Sequence, residues 1–210
     1  MKSIITAVCL TLLFSCNKQK GNIVGHNQSK DPAVLKEDSI PPDKIPQTID
    51  EIRKEFAVLN EKLLSKKLDS NSFSYTCDEI EGKADFYYEK KDLRMVKHFF
   101  ADSHFSSVTN YYVKSDKVFF IFKEETVWQF DGGTPEKPIT KDSISQQRIY
   151  LKDGKPIQCL EKHFTIRSTG KNINPETIPN KKGNCDVKEL MDLYRKILNN
   201  KDTKNKPLCL

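Results

Sequence analysis

Between residues 73 and 165 the sequence alternates on a two-residue period, rich in β-branched and aromatic side chains and broken only by short polar turns. A chain with that pattern over more than two-fifths of its length must build a sheet. The spacing predicts strands near 73–79, 83–89, 93–101, 107–114, 117–123, 126–131, 146–152 and 156–165. The connectors Lys90-Lys91-Asp92, Lys114-Ser115-Asp116 and Lys152-Asp153-Gly154 are hairpin-sized, so neighbouring strands should pair antiparallel. A weak repeat marks these turns. Tyr87-Tyr88-Glu89-Lys90-Lys91-Asp92-Leu93 recurs around Tyr111-Tyr112 and again around Ile149-Tyr150, at spacings too unequal for a solenoid.

Helical patterns flank the sheet. Thr48-Ile49-Asp50-Glu51 is a capping box, and Ile49, Ile52, Phe56, Leu59, Leu63 and Leu68 follow at helical spacing. Asp186 and Glu189 repeat the cap-and-Glu pattern before Val187, Leu190, Tyr194, Ile197 and Leu198, with an end at Asn199-Asn200. The fold class is therefore α+β: an N-terminal amphipathic helix, an antiparallel meander of six to eight strands, and a C-terminal helix, stapled by disulfides. A stretch from 165 to 184 reads as a long loop, with Cys159 and Cys185 placed to pin it.

The sheet is ring-rich. Thirteen of its aromatic residues fall between Phe86 and Phe130, and Val118-Phe119-Phe120-Ile121-Phe122 sends large apolar groups to both faces. Both faces then need cover. A curled sheet or the second helix is the commoner answer. The alternative is a concave aromatic surface for a lipid, peptide or glycan, with Tyr111, Tyr112 and Trp128 as its first candidates.

The first residues have the layout of an export signal: Lys2, then an apolar run over 4–14, then the small Ser15. That run is shorter than the roughly 20 residues a spanning helix needs. Leu13-Phe14-Ser15-Cys16 resembles the lipobox of bacterial lipoproteins, and the chain resembles small cell-envelope lipoproteins of the Bacteroidota. The resemblance implies diacylglycerol on the Cys16 sulfur, cleavage before Cys16 and acylation of the new amino terminus. Multiple acyl chains anchor a protein durably, where one does not. The organisation expected is a signal peptide over 1–15, a lipidated Cys16 and flexible tether over 16–47, and one domain over 48–210. Pro32, Pro41, Pro42 and Pro46 punctuate a tether too polar to offset its ordering entropy, with an r.m.s. reach of about 30 Å. The basic Asn17-Lys18-Gln19-Lys20 lacks the acidic surface-export signal of such lipoproteins, which points to the periplasmic face, with surface exposure as the alternative.

An exported chain meets an oxidising compartment. With Cys9 and Cys16 set aside, Cys77, Cys159, Cys185 and Cys209 remain, an even number that allows two disulfides in three connectivities. The preferred pairing is Cys185 with Cys209, bracketing the last helix, and Cys77 with Cys159. Their spacing does not suit zinc, so no metal and no cofactor is expected.

Signals for chemistry are few. His98, Asp102 and His104 read as solvated strand-end residues, and Ser103, Ser106 and Ser107 as turn serines outside any nucleophile elbow. Glu124 and Glu125 point to opposite faces of a strand and cannot act as a carboxylate pair. The formal charge of +6 is spread along the chain rather than gathered on one element, so nucleic acid is not an expected partner. Asp38-Ser39-Ile40 and Asp142-Ser143-Ile144 are similar to the O-glycosylation acceptors of Bacteroidota, which makes Ser39 and Ser143 candidate modification sites. The functional expectation is a membrane-anchored, non-enzymatic binding module of the cell envelope, with the membrane as partner through its lipid and a protein, lipid or glycan as ligand. Two alternatives stand beside it: a periplasmic carrier with a hydrophobic cavity for a lipid or acyl chain, and a hydrolase of wall or glycan material.

Overall fold

The computed structural model describes residues 44–202 and 209–210. They belong to a unit that spans Ser39–Leu210. Helix α1 (Ile49–Leu64) opens at the capping box: Thr48 Oγ1 accepts from Glu51 N–H, and the Glu51 carboxylate accepts in return from the Thr48 and Gln47 N–H groups. Lys44 donates to the same carboxylate, and with those backbone donors it holds the Glu51 carboxyl down at a pKa of about 2.

The meander follows as β1 (Asp69–Cys77), β2 (Ile80–Glu89), β3 (Asp92–Asp102), β4 (Phe105–Lys114), β5 (Lys117–Thr134), β6 (Lys137–Lys152) and β7 (Lys155–Arg167). A two-residue β8 (Lys181–Lys182) lies in the long loop, and α2 (Lys188–Asn200) closes the chain. All eight strands form one antiparallel sheet in sequence order. Positive φ at Ser115 with Asp116, and at Asp153 with Gly154, gives the backbone that tight hairpins of matching twist require. The repeated turn sequence carries a second device. The ladder shifts register at Tyr87/Tyr88, Tyr112/Val113 and Tyr150/Leu151, each just before a hairpin. Bulges at these places sharpen the local twist.

The strand boundaries differ from expectation at β1, which starts four residues early at Asp69, and most of all around β5 and β6. Glu124-Glu125 does not break β5, which runs on as a single strand where two were expected. Each carboxylate has a neighbour that suits a strand: Glu124 accepts from Gln146 Nε2 at 2.7 Å, and Glu125 pairs with Lys123 at 2.6 Å. Because β5 is long, β6 begins at Lys137 and pairs with it from Thr134 back to Phe120. The loop after β7 spans 168–187, as long as expected, but is interrupted by β8, which pairs with Leu160 and Glu161.

Apolar groups on both faces are covered by one helix each. On the first face α1 packs Ile52, Phe56 and Leu59 over Met95, Tyr112, Phe119, Phe120 and Tyr150. On the second, Tyr194 and Ile197 of α2 pack over Ala84, Phe86, Val96, Tyr111, Ile121 and Ile149. Asp186 Oδ1 accepts from Lys188 N–H at the start of α2, and the Tyr111 hydroxyl donates to the Leu190 carbonyl at 2.9 Å.

The seat of α1 is ionic. Glu55 lies almost fully buried and accepts from both Arg94 and Lys114, the latter at 2.8 Å. Arg94 also pairs with Glu89 at 2.6 Å, and Lys62 of α1 reaches the other oxygen of that carboxylate.

The disulfides join Cys77 to Cys209 and Cys159 to Cys185, with Cα separations of 4.9 and 6.0 Å. This corrects the pairing expected from sequence. Cys77 ends β1 and Cys159 sits on β7, so six strand steps of about 4.8 Å separate their strands, far beyond disulfide reach. Cys185 and Cys209 are bonded instead at β7 and at the end of β1, strands that lie six positions apart in the sheet.

Two consequences can be measured. Peptide mapping without reduction should recover Cys77–Cys209 and Cys159–Cys185 fragments, and a Cys77→Ala, Cys209→Ala chain should lose about 2–5 kcal/mol in denaturant unfolding. Glu55→Ala should cost about 3–5 kcal/mol by the same measurement, because it leaves Lys114 and Arg94 buried without their carboxylate.

Candidate functional site

The first turns of α1 overhang a hollow on the sheet. Its floor and walls are Ile52 and Phe56 of α1, Phe120 and Phe122 of β5, and Arg148 and Tyr150 of β6, with Arg53 at the rim. The register makes this grouping. Phe120 pairs with Tyr150 and Phe122 with Arg148, so four side chains from two strands rise on the α1 face together. Phe56 meets the Phe120 ring edge-on at 5.4 Å, and Phe120 lies 5.0 Å from the Tyr150 ring. The hollow measures about 260 Å³. That is slightly below the range of about 300–1,000 Å³ usual for drug-sized ligands, which suits a single small ligand or one part of a larger one.

Two guanidinium groups lie over this aromatic lining. Arg148 sits 5.0 Å above the Phe122 ring centre, and Arg53 sits 5.8 Å from that of Tyr150. Arg148 donates to amide oxygens, to Asn180 Oδ1 at 3.1 Å and to Gln146 Oε1 at 3.3 Å. Gln146 in turn donates to Glu124, so an amide stands between the Arg148 charge and that carboxylate. Arg53 has Asp50 at 3.5 Å on the exposed side of the helix. The arrangement offers an apolar slot with positive charge at its edge.

The residues singled out from sequence lie elsewhere. Tyr111 and Tyr112 are buried and do not line a ligand surface, which corrects that expectation. As neighbours on a strand they point to opposite faces, and each face has its own helix: Tyr111 packs 5.0 Å from Tyr194, and Tyr112 5.1 Å from Phe56. Trp128 is partly exposed on β5, six residues beyond Phe122 and so about 20 Å along the strand. Its Nε1 donates to the Ser103 carbonyl and its ring lies 3.9 Å from His104 and 5.6 Å from Phe130. Ser143 is exposed on β6. Cys16 and Ser39 lie outside the described residues.

His98 is a correction too. It is buried on the α2 face at 2% exposure, not solvated, and Gly82 is what admits its partner. The Tyr75 ring lies over Gly82, where any Cβ would meet it at 2.0 Å, and the Tyr75 hydroxyl and His98 Nε2 share a hydrogen bond at 2.7 Å. Burial depresses the imidazole pKa to about 4. His104 is exposed at the β3–β4 turn, so the two histidines do not share a cleft.

Sequence reasoning missed Arg53 and Arg148. A hint was present in Arg148 and Tyr150, which share a strand face two residues apart, but the pairing with Phe120 and Phe122 requires the β5–β6 register. Among the described residues no group of three or more His, Cys, Asp or Glu side chains is placed to hold a metal ion, and no helix is long and apolar enough to cross a membrane. No family model, curated protein or solved structure matches the chain.

The depressed His98 pKa sets a pH dependence. The unfolded imidazole takes up a proton near pH 6.5 and the folded one only near 4, so between those values the unfolded state binds more protons and stability rises with pH. Relative to a His98→Gln chain, the protein should lose about 3 kcal/mol of unfolding free energy between pH 7 and pH 4. Denaturant titrations at both pH values check this, and the His98 ring resonances should titrate near pH 4 in NMR.

Proposed function

We propose that the chain is a lipid-anchored binding module of the cell envelope, which captures its ligand in the aromatic hollow beneath the first turns of α1. The observation that carries the reading is the hollow itself: four aromatic rings and Ile52 from three elements enclose one slot, with arginines at its edge. Ligand sites are concave, mostly apolar and furnished with a few placed polar groups, and this hollow has that make-up.

The anchor rests on Leu13-Phe14-Ser15-Cys16 and the apolar run before it. Acylation at Cys16 would fasten the protein to a membrane. The basic residues after Cys16 favour the periplasmic side.

The carrier reading draws on the same hollow, whose volume suits a ring or a short chain segment rather than a whole diacyl lipid. The hydrolase reading needs a histidine or a carboxylate in a cleft. His98 is instead sealed under the α2 face.

Radiolabelled palmitate should enter the wild-type chain in its host and leave a Cys16→Ser chain unlabelled. The wild type should sediment with membranes and the variant should not. Equal labelling of the two, or none in either, would refute the anchor.

A further inference from the structure

We infer that the hollow selects a small aromatic acid: a flat apolar body carrying one carboxylate, held by Arg148 and Arg53. This deepens the binding-module reading and depends on it.

The lining argues for the shape. Phe56, Phe120, Phe122 and Tyr150 present ring faces and edges, and a flat ring can engage them by the offset and edge-on contacts that these rings already make with one another. Its size admits one small body.

The rim argues for the charge. A guanidinium has five N–H donors in a planar fork that matches a carboxylate. Arg148 spends Nη1 on Asn180 and Gln146 and shares Nη2 with the same Gln146 oxygen at a long 3.3 Å. Its Nε–H and part of Nη2 remain for a ligand. The acceptors that hold it are neutral amides, so its positive charge reaches the slot uncancelled by a direct carboxylate contact. The nearest acid along the strand face, Glu124, accepts from Gln146, and no ion pair joins it to Arg148 among the described residues. Arg53 contributes a second cation from the helix side, with Asp50 on the solvent flank as its only carboxylate contact among the described residues. Stacking on Phe122 and Tyr150 keeps both guanidiniums against the apolar lining, where a ligand carboxylate would be partly desolvated and a charge-assisted bond is strong.

The test uses the full chain carrying Cys16→Ser, so that no acyl group competes for the hollow, with 2-naphthoate and its neutral counterpart 2-naphthamide as probes in calorimetric or NMR titration. The acid should bind tighter than the amide by about 10- to 100-fold, the worth of hydrogen bonds to a charged group. Arg148→Gln should abolish that preference by weakening the acid far more than the amide, and Arg148→Lys should restore part of it. Raising the salt to 0.5 M should narrow the gap, since the rim is open to solvent. Unfolding midpoints of each variant, compared with the parent, show that the fold is kept. If wild type binds acid and amide equally, the charge selection is wrong and the hollow as a binding site survives. If neither probe binds, both the selection and the site proposed above fall. Preference for the acid that persists in Arg148→Gln and in an Arg53→Gln chain alike would also overturn it.

Discussion

The carboxylate of Glu55 fixes where the first helix lies. It is buried under α1 and meets Arg94 of β3 and Lys114 of β4, and Arg94 passes the link on to Glu89 and so to Lys62 further along the same helix. Apolar contacts alone would allow α1 to slide or roll over a sheet so rich in rings, because hydrophobic attraction has no direction. An ion network with three anchoring strands does not tolerate a slide. Its net gain in stability can be small, since buried charges give up their hydration, but a broken member leaves its partners stranded. The helix is therefore held at one setting, with Phe56 immediately after Glu55 and Ile52 and Arg53 within the preceding turn. These are the residues that roof the hollow.

The two faces of the sheet are closed by different means. Under α1 the seat is ionic and the lining aromatic. Under α2 it is neutral: Tyr111 donates to a helix carbonyl, Tyr75 bonds to an uncharged His98, and burial raises the Tyr111 and Tyr194 phenols well above their ordinary pKa. The tail after α2 is tied back by Cys209 to the end of β1, and Cys185 before it is tied to β7. Both ends of α2 are thus fastened to opposite sides of the sheet. A helix whose face supplies few directional contacts is located by covalent ones.

What could be read from the chain was local. The Thr48–Glu51 cap, the Asp186 start of α2 and the tight turns at Ser115-Asp116 and Asp153-Gly154 each depend on residues within a few positions of one another. The antiparallel meander followed from those short turns. Errors arose wherever distant partners decide. Glu124-Glu125 resembles a break until Gln146 and Lys123 stand beside it. Cysteine pairing needs the strand order, and proximity to α2 in sequence misled. The paired tyrosines of β4 suggested an aromatic surface, yet strand alternation sends each under a different helix. His98 looked like a solvated strand end because nothing near it in sequence shows that Tyr75 will cross Gly82 to reach it. The hollow was hidden for the same reason, being a product of β5–β6 register and the setting of α1.

Charge placement separates the faces in what they can bind. On the α2 side the buried groups are neutral phenol, imidazole and hydroxyl, so that interior has little preference for a ligand's sign. On the α1 side Arg53 and Arg148 form no ion pair with the Glu55 and Glu89 carboxylates among the described residues. Those carboxylates are consumed by Arg94, Lys114 and Lys62, and little negative potential remains to offset the rim. The network that locks the helix thus also keeps acid side chains from answering the rim arginines. Stability and ligand choice on this face trace to one distribution of charge, in which the buried Glu55 carboxylate is spent on holding the helix and the arginines left over border a slot lined by aromatic rings.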